Sequence, residues 1–335
     1  MSCEFMIYPD SVFHPAYCEA SVLLNEGTAQ QFVHEDELGK VSYCFIKRKI
    51  DNIYDQELFD IITPYGYGGP VVIESKGDRK KLCQNFFEKF REYCSRNNII
   101  SEFVRFHPII KNQDDFFEFY DMKVNRNVVA MDLTVNDIIL DELGPKTRKL
   151  YRRTLKNGMS AQWDFDCERI DDFIELYKNT MDRNQASEFY YFEKDYFNKL
   201  INELPEKPIL LFISLEGKNI AAIFALRGKK MLNVHLSACD ISKSDNNANY
   251  TTRIELALWG KTQGYEKLLF GGGRAASEDD SLYLFKRKFT NSPPIPFYTG
   301  KKIYNQDIYD KLCKDAKLKE QDYESDFFPL YRAKG

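Results

Sequence analysis

Between Asp78 and Asn97, Leu82, Phe86, Phe87, Phe90 and Tyr93 return every three or four residues among Lys, Arg and Glu. That period predicts a helix with one buried face. Shorter helical patterns cover Pro15–Leu24, Ile170–Asn184, Glu193–Leu204 and Asn249–Gln263, and a polar helix is expected after Leu133, ending near Gly144 and Pro145. Apolar or alternating runs predict strands at Val41–Arg48, Ile99–Phe106 and Asn127–Leu133. Ile209–Leu215, Asn219–Arg227 and Met231–Ser237 follow one another across EGKN and GKK turns, the spacing of an antiparallel meander. Near Asp60–Ile73 two β-branched segments flank a loop in which Pro64, Gly66, Gly68, Gly69 and Pro70 forbid regular structure.

The stretch Leu268–Phe289 organises the rest. An apolar strand meets Gly271, Gly272 and Gly273, a polar loop follows, and a helix then carries Phe285, Lys286 and Phe289. Residues three and four apart share a helix face, so Phe285 and Phe289 anchor the helix while Lys286 projects to the side. A glycine run lets backbone approach a ligand closely, or simply closes a tight connection. Two helices, a meander, a helix, a strand and a helix make a unit that Leu24–Asn127 echoes weakly. The chain of 335 residues therefore reads as α+β and duplicated, with a first domain over 1–144, a second over 145–317, and a tail over 318–335 packing back on the first.

Composition narrows the function classes. Hydrophobic residues make up 43% and charged residues 29%, enough for packed cores with a solvated exterior. A net charge of -4 argues against a general nucleic-acid binder and against DNA as a partner, although the basic run Lys146–Lys156 could form a local phosphate platform or a solvated helix face. The 8 cysteines show no zinc-ligand or dithiol spacing, so no metal site is expected. The opening MSCEFMIYPD lacks a signal-peptide pattern and no apolar run approaches a membrane span, so the expectation is a cytoplasmic protein with no transmembrane segment, with room for transient contact with the inner membrane face.

The chemistry-bearing positions follow from these elements. Tyr65 and Tyr67 ride a glycine-jointed loop, where side chains line a site or cover a local cluster. His235 sits near the end of the last meander strand, with Asn233 and Ser237 on its face; it either accepts a proton or fills the core. Amide formation from an ester or thioester needs a neutral amine and donors for an oxyanion, and no covalent nucleophile. There is no Gly-x-Ser-x-Gly elbow, which removes support for a hydrolase.

TPYGYGGP at Thr63–Pro70, RFHP at Arg105–Pro108, the arginine and tyrosines from Arg183 to Phe192, the meander with His235, the Asn249–Tyr250 helix start and FGGG followed by FKRKF occur in an order that resembles the FemABX-like branch of the GNAT acyltransferase superfamily. The resemblance covers most of the chain. It implies two GNAT-like domains, each a mixed, mostly antiparallel sheet flanked by helices, and transfer of an aminoacyl or acyl group to an amine of a cell-envelope precursor. No tightly bound cofactor is implied; the donor co-substrate would be aminoacyl-tRNA, making tRNA a partner, or acyl-CoA. By the resemblance Lys286 lies beside the reacting carbonyl or the donor phosphate, with His235 as the second catalytic candidate. Tyr65, Tyr67, Arg105, Arg183, Tyr191, Tyr250 and Gly271 to Gly273 are the substrate-binding candidates. The Gly-rich pyrophosphate loop of acetyl-CoA-binding relatives and the long coiled-coil arm are both missing from the pattern. Two alternatives stand beside this reading: an acyl-CoA-dependent N-acyltransferase acting on a nucleotide-linked amino sugar in surface polysaccharide synthesis, and a non-catalytic GNAT-like binding module.

Overall fold

The computed structural model describes residues 6–51, 56–240, 242, 247–316 and 326–333. The chain begins with α1 (Pro15–Val22), then β1 (Thr28–Asp36) and β2 (Gly39–Ile50). β3 (Leu58–Ile62) and β4 (Val71–Ser75) flank the glycine-jointed loop, followed by α2 (Arg79–Arg96) and β5 (Ile99–Arg105). The short α3 (Gln113–Phe116) leads to β6 (Asp121–Asp132) and α4 (Pro145–Lys156). β7 (Ser160–Asp164), α5 (Ile170–Arg183) and α6 (Lys194–Glu203) precede the meander β8 (Ile209–Leu215), β9 (Lys218–Arg227) and β10 (Met231–Cys239). α7 (Ala248–Thr262), β11 (Lys267–Gly272), α8 (Ser281–Arg287), β12 (Ile295–Ile303) and α9 (Gln306–Asp315) complete it.

Two compact units result. One is built on Val12–Asn125 with the described residues from Phe297 onward, the other on Tyr8–Ser11 and Arg126–Pro296. In the first unit β1, β2 and β3 run antiparallel in turn, β4 pairs with β2, β3 lies parallel to β5, and β5 pairs antiparallel with β12. In the second, β7, β8, β9 and β10 form the antiparallel run, β10 lies parallel to β11, and β11 pairs antiparallel with β6. Each unit thus holds an antiparallel run, one parallel pair joined across a helix, and an antiparallel strand beyond it. The duplicated α+β expectation describes both.

The helices follow their apolar stripes. Asp78 caps α2 by accepting the Lys81 N–H at 3.0 Å, and Leu82, Phe86, Phe87 and Phe90 fill the first unit's core with Tyr43, Phe45 and Val104. In the second unit Ile254, Leu256 and Ala257 of α7 pack with Ile223, Leu232, Leu268 and Phe289.

Two expectations differ from the structure. The polar helix after Leu133 is only a turn at Ile138–Glu142, begun by the Asp137 carboxylate, which caps it by accepting the Ile139 and Leu140 N–H groups, while upstream the Asp132 carboxylate takes the Thr134 N–H and hydroxyl. Local side-chain bonds of the Asp132 kind compete with a regular helix. The division expected at 144/145 falls instead between Asn125 and Arg126, and the stretch from Phe297, placed in the 145–317 domain, joins the first unit. Gly144 and Pro145 are the N-cap and first position of α4, a helix start and not a linker. In the tail, Tyr331 and Arg332 meet the buried carboxylate of Asp60 at 3.1 and 2.5 Å, while residues 318–325, 334 and 335 lie outside the described residues.

Candidate functional site

In the second unit the parallel pair is short. Met231–Asn233 of β10 match Lys267–Leu269 of β11, and then the strands part. β10 continues beside β9 to Cys239 with an irregularity between Val234 and Leu236, and β11 continues beside β6 to Gly272 with one between Leu269 and Gly271. Bulges bend a strand locally, and the crevice beyond the carboxyl ends of parallel strands is a recurrent place for ligands. The result is a fork, with Ser237 on one prong and Gly271 and Gly272 on the other.

α8 delivers Lys286 to this fork. Its Nζ donates to the Gly272 carbonyl at 2.7 Å, and burial pushes its pKa down to about 7, helped by the charge of Arg253 and then that of Arg126. Asp280 opposes the shift, but its oxygens accept the Tyr283 and Ala275 N–H groups at 2.9 and 3.1 Å, which caps α8 and fixes the loop. The glycines serve this geometry. Gly271 has φ of +78°, and a Cβ on Gly273 would lie 2.3 Å from Asp280 Oδ1. β11 also runs on through Gly272, two residues beyond the expected Phe270. Carbonyls of the glycine run are engaged from the side: Gly272 by Lys286, Gly273 by Arg126 at 2.9 Å.

Arg253 of α7, which sequence reasoning passed over, lies against the same fork. It donates to Ser237 Oγ at 3.1 Å and to the Asn249 carbonyl at 3.1 Å, and its guanidinium lies 5.1 Å from the Phe285 ring and 5.6 Å from that of Phe289. The only sequence signal was a cation placed among the small and apolar residues of α7.

The remaining second-unit candidates are dispersed around this centre. His235 lies at the irregularity of β10, 2.7 Å from the Tyr196 hydroxyl, and burial pushes its pKa down to about 3, so it holds a proton poorly near neutral pH. Tyr250 packs edge-on against Phe285, with ring centroids 5.5 Å apart, and lines a cavity of about 250 Å³ with Lys146, Thr147, Arg287 and Lys288. Arg183 is exposed and donates to the Cys239 carbonyl at 2.6 Å; Tyr191 donates to Asp182 at 2.8 Å.

Tyr65, Tyr67 and Arg105 gather in the first unit, at the end of its own parallel pair. Arg105 donates to the Thr63 and Pro64 carbonyls at 3.1 and 3.2 Å, pinning the loop, and the Tyr17 hydroxyl donates to the Tyr65 carbonyl at 2.8 Å. His107 joins them, its ring 5.3 Å from that of Tyr67. Its Nδ1 accepts the Ile109 and Ile110 N–H groups, so the neutral ring carries its proton on Nε2, which has no partner among the described residues; burial pushes its pKa down to about 3.

Each unit repeats the antiparallel run, the parallel pair and the strand beyond it, which makes a duplicated α+β fold of two GNAT-like domains. The crystal structure of FemX shares this fold with a TM-score of 0.70, at 12% identity over 90% of this chain and 94% of that one. The C-terminal domain of a putative lysylphosphatidylglycerol synthetase from Agrobacterium fabrum is similar at a TM-score of 0.56, with 15% identity over 89% of this chain and 91% of that one. In sequence, 180 residues are 24% identical to a UDP-N-acetylmuramoylpentapeptide-lysine N(6)-alanyltransferase from Weissella viridescens, 52% of this chain and 52% of that protein. The match therefore spans about half the length of the curated relative. No family model matches the chain.

Proposed function

We propose that this protein is an aminoacyltransferase that moves an aminoacyl group from an activated donor to an amine of a cell-envelope precursor in the cytoplasm. The observation that carries the reading is Lys286, a lysine seated by the Gly272 carbonyl at the mouth of parting strands, in a fold shared with FemX. The Weissella viridescens relative is an alanyltransferase acting on a muramoylpentapeptide lysine, which supports the substrate class.

In this reading the acceptor amine attacks the donor carbonyl, forming the C–N bond. The carbonyl oxygen becomes an oxyanion, and the Lys286 ammonium offsets that charge until the C–O bond of the donor ester breaks and the amide remains. The amine's proton leaves to solvent or to the departing alkoxide, because His235 is too weakly basic for the task. Cys44 and Cys167 are buried, and burial pushes their thiols up to about 12, so neither offers a thiolate at neutral pH. Tyr65, Tyr67 and Arg105 of the first unit, and Arg183, Tyr191, Tyr250 and Gly271 to Gly273 of the second, are assigned to substrate binding.

The test offers charged tRNAs and acyl-CoAs in parallel with a muramoylpentapeptide acceptor and follows donor consumption and amide formation. Consumption of charged tRNA with formation of an aminoacylated acceptor is expected. Consumption of acyl-CoA alone would replace the donor, and absence of transfer from both would return the chain to a binding role.

A further inference from the structure

Arg253 is 3% exposed, and its Nε–H has no acceptor among the described residues. Its other bonds go to neutral oxygens of Ser237 and Asn249, and two phenyl rings flank it. Aromatic faces and hydroxyls soften the burial of a guanidinium without neutralising it. The burial is enough to push its pKa down to about 10, which leaves it a cation at neutral pH. Its charge is felt at Lys286, whose pKa Arg253 and then Arg126 lower, and the Asp280 carboxylate near Lys286 is committed to backbone N–H groups.

A buried arginine that serves the fold alone is ordinarily paired with a carboxylate, because an uncompensated charge in the interior is costly. Here the guanidinium, whose planar N–H donors suit a carboxylate or phosphate, is fixed by Ser237 on one prong of the parting strands and lies beside the ring of Phe285, the residue preceding Lys286, with its Nε–H unmatched among the described residues. We propose that Arg253 is a specificity-determining residue of the fork, which receives an oxyanion, carboxylate or phosphate, carried by one of the substrates. The placement rests on reading the fork as the transfer site. It adds that one substrate must bring its own negative charge to within reach of Lys286.

The test is titration calorimetry of the full chain at low ionic strength with sodium phosphate and with sodium acetate, beside thermal unfolding, for wild type, Arg253→Met and Arg253→Gln. Wild type is expected to bind at least one anion, phosphate pointing to a phosphorylated group and acetate to a carboxylate. Arg253→Met should weaken that binding at least tenfold while Tm stays level or rises, since an apolar chain of similar length replaces an unpaired buried cation. Should Arg253→Met not fold, Arg253→Gln carries the same comparison. The proposal is overturned if wild type binds neither anion, if a folded charge-free variant binds as wild type does, or if neither variant folds, which would make Arg253 structural. Because binding is read without turnover, an inactive wild type that still binds anion through Arg253 would sink the transfer reading and leave this pairing intact.

Discussion

At the scale of single residues, Lys286 sets the sharpest expectation. With its pKa near 7, the ammonium that would meet the oxyanion is lost as pH rises through neutrality, so kcat/KM should fall above about pH 7. Lys286→Arg, charged throughout this range, should move that limb upward, whereas Lys286→Ala should cost roughly 2.7–4 kcal/mol in the barrier with Tm little changed. Lys288→Ala, exposed on the same segment, is the control, and equal turnover of both alanine variants would remove Lys286 from the mechanism. A second residue governs stability. Glu102 is fully buried, accepts the Tyr120 and Tyr304 hydroxyls at 3.0 and 2.5 Å, and burial raises its pKa to about 7. A carboxyl whose folded pKa lies above its unfolded value favours folding below about pH 4.5, and that advantage drains away as pH rises through 7, roughly 3 kcal/mol over the span. Denaturant unfolding between pH 4 and pH 8 should show this slope, and Glu102→Gln should flatten it. Sequence reading singled out Lys286 through the family resemblance, and helix spacing only set it to the side of Phe285 and Phe289. It did not single out Glu102 or Arg253 and met His107 only inside the RFHP motif, because what makes them unusual is burial among neutral partners in three dimensions, a property no local pattern carries.

At the scale of elements, the fork depends on a capped helix as short as α8, and the cap depends on a glycine. A Cβ at Gly273 would press on the Asp280 carboxylate that holds the Tyr283 and Ala275 N–H groups. Gly273→Ala should therefore cost about 1–2 kcal/mol, the value of an N-cap, and lower turnover by displacing Lys286. Asp280→Ala should reproduce the stability loss without the steric push. Chemical denaturation of both variants, with turnover measured alongside, checks the coupling; an intact Tm in Gly273→Ala would mean the loop relaxes freely. The helices were legible wherever an apolar stripe held for three or more turns, as in α2 and α5. β1 was not, since its residues are mostly exposed or half-buried and Thr28–Asp36 offers no apolar run. The parting of β10 from β11 was also invisible, because it arises from irregularities in two strands and neither shows in the apolar pattern of its own segment.

At the scale of the whole molecule, the duplication was readable from element order, while the assignment of Phe297 onward was not. β12 finds its partner in β5, and a pairing between Thr299 and Arg105 leaves no trace in local spacing. Overall charge and its local exception then decide the last expectation. A chain of net charge -4 repels phosphate at long range, yet α4 exposes Lys146, Lys149, Arg152, Arg153 and Lys156 while burying Thr147, Tyr151 and Thr154. A donor with a polyphosphate backbone would meet several of these cations at once, whereas a coenzyme thioester would reach few. If the donor is charged tRNA, its affinity should fall steeply with salt, and replacing Lys149, Arg152 and Lys156 by Gln should lower the slope of log affinity against log salt by roughly 2–3, at about one unit or slightly less per lost contact. These side chains point away from the packed face, so Tm should change little. Filter binding of charged tRNA from low to physiological salt measures the slope, with acyl-CoA affinity as the comparison. A slope and affinity unchanged for both donors would mean that the basic face of α4 only solvates the second unit.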